Sequence, residues 1–201
     1  MRAISQFAAV FTLFAASGVA ADRSSAAGPA LPNFVLRTQA DRPVRFYDDL
    51  IKGKTVVISF MFTSCKAICP MTSANLLKVQ KALGDHVGRD VFFYSLSLNP
   101  KADSPAVLNK YAKAIGAGRG WTFLTGKSED LESLRRTLGL FDPDPKVDAD
   151  KTQHGALIVY GNDAIGRWSV IPALGDPERI ATAVRRVMPT GVRTQAQAAP
   201  R

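Results

Sequence analysis

The sequence predicts an α/β sandwich with mixed strands, and three observations predict it. Two strongly apolar runs, residues 55–62 and 91–98, read as buried strands. Each is followed by a segment whose apolar residues recur at helical spacing. Near the C-terminus, Gly161-Asn162-Asp163 makes a tight turn between the apolar run 156–160 and residues 165–171. That pattern is a β-hairpin, which excludes an all-parallel sheet. No Gly-rich phosphate loop follows any strand, so nothing supports nucleotide binding.

The elements follow in order. Phe34-Val35-Leu36 and Val44-Arg45-Phe46 are short strands joined by a polar turn. Residues 55–62 form a strand that leads into a cysteine-bearing loop. A helix from about Pro70 to Leu83 places Ala74, Leu76, Leu77, Val79 and Leu83 on its apolar side, with Gly84 as its C-cap. Pro70 lacks an N–H and fits only a first turn, and it biases Cys69 away from helical backbone angles. Residues 91–98 form the second long strand, ended by Asn99-Pro100. Asp103-Ser104-Pro105 opens a helix to about Ile115, with Pro105 in its first turn. Residues 121–124 are a short strand, and Ser128-Glu129-Asp130 starts a helix to about Leu138. Residues 141–153 read as a Pro/Asp loop. His154 stands just before the hairpin, and Asp176 caps a last helix to about Val187.

At the N-terminus, Arg2 precedes an apolar segment over residues 7–16 and then the small residues Ser17-Gly18-Val19-Ala20-Ala21. This is the order of a secretory signal over residues 1–21. The competing reading is an uncleaved anchor, for which the apolar stretch is short against the ~20 residues a span needs. Residues 22–32 read as a flexible leader, 33–188 as one domain and 189–201 as a disordered tail. The location expected is the periplasm, where disulfides can persist. The chain carries 26 Lys+Arg against 17 Asp+Glu. Those charges are scattered, without the basic runs and aromatic interleaving of a nucleic-acid binder, so the basic balance reads as a solvated surface.

Both cysteines of the chain, Cys65 and Cys69, lie in Phe62-Thr63-Ser64-Cys65-Lys66-Ala67-Ile68-Cys69-Pro70. Such a pair can be a local disulfide, a soft-metal clip or a redox switch. A staple has little to do here, because the enclosed loop is short and the domain is large enough to fold without it. Thiolates suit Cu(I), and an added imidazole extends a site to Cu(II). For redox work, the strand-to-helix junction and the Lys66 cation both lower a thiol pKa. Cys65 is expected to be the more exposed thiol and the nucleophile, with Cys69 resolving. A lone His beside an apolar strand is usually a surface or core residue, and His154 gains interest only through the cysteines. His86 sits in a polar loop and reads as solvent-exposed. Met71 offers a thioether but reads as core packing.

A strand leading into Phe-Thr-Ser-Cys-X-X-X-Cys-Pro, then Leu98-Asn99-Pro100 and Asp103-Ser104-Pro105, then a lone His before an apolar strand, resembles the Sco (SenC) family. The resemblance covers about residues 33–187. It implies a thioredoxin-like fold, a mixed sheet flanked by helices with an N-terminal β extension. It implies one copper ion per chain, Cu(I) or Cu(II), on Cys65, Cys69 and His154. The implied partner is the copper-centre subunit of a cytochrome c oxidase or another copper or thiol client protein, with membrane contact only peripheral or through an uncleaved N-terminus. The alternative it carries is a thiol–disulfide oxidoreductase with Cys65 and Cys69 as the redox dithiol. An electron-transfer or redox-sensing role beside a respiratory complex is a third reading. The chain departs from the family pattern at Lys66, Ala67 and Ile68 between the cysteines, at Asn99, and at Gly155 after the His.

Overall fold

The computed structural model describes residues 29–150 and 156–189. The proposed signal segment, most of the leader, His154 and residues 190–201 of the tail lie outside the described residues. Packing begins at Leu31, which is buried within the segment read as leader.

Seven strands form one mixed sheet in the order β2-β1-β5-β4-β3-β6-β7. They are β1 (Val35–Thr38), β2 (Pro43–Arg45), β3 (Thr55–Met61), β4 (Val91–Ser97), β5 (Trp121–Thr125), β6 (Leu157–Asn162) and β7 (Arg167–Pro172). β3, β4 and β5 run parallel, while β6 pairs antiparallel with β3, and β1 antiparallel with β5. β3 is buried along its whole length because it lies near the middle of the sheet with helices on both faces. Its side chains alternate between two cores, as a period of two requires. Val57 and Met61 face one core, and Val56, Ile58 and Phe60 the other.

The first core packs α1 (Ile68–Leu83), α2 (Pro105–Ile115) and α5 (Pro177–Arg185) against the sheet. The second packs α3 (Ser128–Thr137) and a π-helical turn over Phe46–Ile51. Local chemistry sets the ends: Ser104 and Asp176 cap α2 and α5 through the N–H groups of Val107 and Arg179, each with Pro at the first helical position. The hairpin is present, β6 turning into β7 through Asp163–Ile165. The thioredoxin-like architecture implied by the resemblance is therefore the one observed.

Three expectations are corrected. The helix after β3 starts at Ile68, two residues before Pro70, so Cys69 is helical. Pro70 still falls in the first turn, where its missing N–H has no intrahelical partner to lose. The buried side of α1 is Cys69, Thr72, Ser73, Leu76, Val79 and Leu83, which leaves Ala74 exposed on the opposite side. The Pro/Asp loop contains a short helix, α4 (Pro145–Ala149), with Asp144 as its cap. Arg135 of α3 holds α4 in place. Its guanidinium, 2% exposed, meets both oxygens of Asp148 at 2.6 Å and the Leu140 carbonyl at 2.9 Å.

At the amino-terminal ends of the parallel strands, the chain crosses itself at Gly88 and Gly120, both in left-handed conformations. A Cβ on Gly120 would come within 2.3 Å of the Gly88 nitrogen, so only glycine fits there.

Candidate thiol and metal site

The cysteine loop leaves β3 at its carboxyl end, next to the end of β4. In open α/β sheets this edge is where ligands bind. Leu98 N–H still donates to the Met61 carbonyl at 2.7 Å, so the two strands stay paired up to the loop. The Cys65 N–H donates to the Phe62 carbonyl at 3.2 Å and closes a turn. Cys69 follows in the first turn of α1, and its N–H donates to Cys65 Sγ at 3.5 Å. Both cysteines are free thiols. Cys65 is 8% exposed and Cys69 2%.

The two sulfurs differ chemically. Burial by itself would raise the Cys65 thiol. Hydrogen bonds from the Cys69 N–H and thiol, and from the N–H groups of Ala67 and Ile68, outweigh it and bring the group below its ordinary value. Cys65 thus uses the unsatisfied N–H groups at the head of α1. Cys69 is pushed up to about 12, first by burial and then by the neighbouring Cys65 and Asp103, against a bond from the Phe62 backbone that lowers it. Lys66, read from sequence as the activating cation, has an exposed side chain, and the backbone N–H groups take the role expected of it.

Asp103 shapes this corner and sequence reasoning did not single it out as a site residue. It is fully buried. It accepts hydrogen bonds from Thr63 Oγ1 at 2.5 Å, Thr63 N–H at 3.2 Å and Ser97 Oγ at 2.6 Å. The signal available in the sequence was its place just before the Ser104-Pro105 helix start, close to the end of β4. On the other side of Cys69, the Tyr111 hydroxyl of α2 lies 2.8 Å from Ser73 Oγ. Burial raises the Tyr111 hydroxyl, and nearby Cys69, Cys65 and Asp103 push in the same direction.

The remaining candidates sort clearly. Met71 is 58% exposed and not core packing. It lies two residues beyond Cys69, about 200° around the helix, and so projects to the opposite side. His86 is at the far end of the sheet, where its Nδ1 lies 2.6 Å from Asp90 Oδ2. His154 lies outside the described residues. The chain resumes at Ala156, which packs against the core cluster that contains both cysteines. The pairing of Ser59 with Ile158 in antiparallel register brings Ala156 level with Met61, where the cysteine loop begins. Among the described residues no group of three or more His, Cys, Asp and Glu side chains is arranged to hold a metal ion. Among them, too, no helix is long and apolar enough to cross a membrane.

Fold and site together define a thioredoxin-like protein with a reduced dithiol at a strand-to-helix junction. The chain belongs to the SCO1/SenC family, whose sequence profile matches residues 21–189. It is 30% identical, over 75% of its length and 79% of the relative's, to a Stutzerimonas stutzeri protein named for copper binding. Among solved structures, a SCO1/SenC family lipoprotein from Bacillus anthracis matches 78% of this chain and 94% of its own at 26% identity, with a TM-score of 0.64. Copper-bound ScoI of Bradyrhizobium japonicum matches 79% of this chain and 99% of its own at 26% identity, with a TM-score of 0.62.

Proposed function

We propose that this chain is an extracytoplasmic copper-binding protein that delivers copper to, or matures, the copper centre of a cytochrome c oxidase. Cys65, Cys69 and His154 are the ligands in this reading, with one copper per chain. The observation that carries it is the pair of free thiols at the head of α1, in a chain of the SCO1/SenC family. Two thiolates and an imidazole match the soft-to-borderline preference of copper, and the imidazole extends the set from Cu(I) to Cu(II). The approach of Ala156 to the start of the cysteine loop supports His154, two residues upstream, as the third donor. Relatives named for bound copper and a lipoprotein relative support the cargo and a location outside the cytoplasm. A signal segment over residues 1–21, a leader over 22–32 and a tail over 189–201 complete the proposal.

Anaerobic titration of the reduced protein with Cu(I), for wild type and His154→Ala, tests it. Stoichiometric binding by wild type, weakened by the substitution, is expected. Absence of stoichiometric copper from both proteins refutes it.

The second reading, a thiol–disulfide oxidoreductase, is favoured by the asymmetry of the thiols, with Cys65 lowered and Cys69 raised. It predicts that Cys65→Ser abolishes reduction of a model disulfide substrate while His154→Ala leaves copper affinity unchanged.

A further inference from the structure

We infer that Asp103 is a positioning residue that holds the cysteine loop in its dithiol arrangement. The inference deepens the reading of Cys65 and Cys69 as the working sulfurs and rests on it. A buried carboxylate is costly and persists only where donors satisfy it. The donors to Asp103 among the described residues are hydroxyl and amide groups, not Lys or Arg. They come from two places: Ser97, the last residue of β4, and Thr63, which lies between the end of β3 and Cys65. Asp103 itself directly precedes the Ser104 cap of α2. One side chain therefore ties the cysteine loop to the end of β4 and the start of α2.

The consequence for the sulfurs is geometric. The loop is held at Thr63 by Asp103, and its other end is built into α1 at Ile68. Between these points Cys65 Sγ sits over the helix N-terminus and accepts from the Cys69 N–H. A disulfide would need the two sulfurs at about 2.05 Å, with Cys65 drawn off that position toward the Cys69 side chain. The bonds to Thr63 oppose that shift, so they favour the dithiol over the disulfide. They equally pre-set the loop for a ligand that both sulfurs must share.

The test equilibrates the full chain with glutathione buffers. Glutathione disulfide gives up its S–S bond, the Cys65–Cys69 bond forms, and the two thiol protons leave with two molecules of reduced glutathione. Trapping by alkylation and mass spectrometry gives the equilibrium constant. Asp103→Asn keeps the size but loses acceptors. It should shift the constant toward the disulfide by about tenfold or more, the effect of one charge-assisted hydrogen bond that distinguishes two states. Thr63→Val and Ser97→Ala each remove one hydroxyl donor and should shift it in the same direction by less. If Asp103→Asn fails to fold, these two decide. Constants within about twofold of wild type for the folded variants, or a shift toward the dithiol, overturn the inference. Cu(I) competition on the same proteins should show weaker binding by Asp103→Asn. If wild type binds no Cu(I), the copper reading fails, while the glutathione equilibrium still decides the role of Asp103.

Discussion

The two thiols should react at very different rates, and the structure fixes which is faster. Hydrogen bonds at the head of α1 hold Cys65 below its ordinary value, whereas burial pushes Cys69 up to about 12. At pH 7 the Cys69 thiolate is then about three-thousandfold scarcer than that of an ordinary thiol of pKa about 8.5, and Cys65 is shifted in the opposite direction. Intrinsic nucleophilicity works the other way, since the less acidic thiolate attacks faster with a Brønsted coefficient of about 0.4–0.5. Against an ordinary thiol, Cys69 is then slowed roughly 60- to 130-fold in attack on a disulfide reagent, whereas no such loss falls on Cys65. Its greater exposure acts in the same direction. Stopped-flow reaction of Cys65→Ser and Cys69→Ser with an aromatic disulfide at pH 7 measures each thiol alone. Cys69→Ser should keep the fast phase, with a rate that levels off at a lower pH than that of Cys65→Ser. Cys65→Ser should react slowly, with a rate still climbing at pH 10. Equal rates within about threefold, or a faster Cys65→Ser protein, would refute the assignment of the helix N–H groups to Cys65.

The raised Cys69 also has a stability consequence, because the unfolded chain releases this proton near pH 8.5 while the folded one holds it to about 12. Stability from this group is therefore full below about pH 8.5 and falls by up to about 1.4 kcal/mol per pH unit above it, and Cys69→Ala should flatten that part of the urea-unfolding profile. Arg135→Met removes the main partner of buried Asp148, and should cost about 3 kcal/mol in denaturant unfolding, near the low end for a broken buried pair because Arg136 still reaches Asp148 at 2.9 Å. Gly120→Ala drives a Cβ into the Gly88 backbone at a left-handed position. It should destabilise by more than about 2 kcal/mol, read as a drop in Tm, whereas Ala74→Ser on the exposed side of α1 should stay within about 0.5 kcal/mol.

What was legible from sequence follows from how local each signal is. β3 and β4 declare themselves because strands buried on both faces must be apolar throughout. The hairpin was legible but its turn was placed early: Gly161 and Asn162 are paired in β6, and the chain turns at Asp163–Ile165; the cysteine pair declares itself through its spacing. α4 was not legible. Its five residues carry one buried side chain, Asp148, and the partner that holds it there is 13 positions away. Asp103 was hidden for the same reason, since Thr63 lies 40 positions upstream and an aspartate before Ser-Pro reads as a helix start. Lys66 misled in the opposite way. A charge beside a cysteine in sequence suggested electrostatic activation, but the lowering comes from backbone N–H groups that no residue type announces.

The antiparallel pairing of β6 with β3 has an architectural consequence. A parallel strand in that place would enter from the far end and send its exit loop toward the cysteines. Here the chain entering β6 arrives at their end of the sheet, and the turn leaving it lies a strand's length away, about 20 Å for six residues. The Asp163–Ile165 turn is thus a remote handle, suited to carrying a fluorophore or a surface tether without disturbing the thiols.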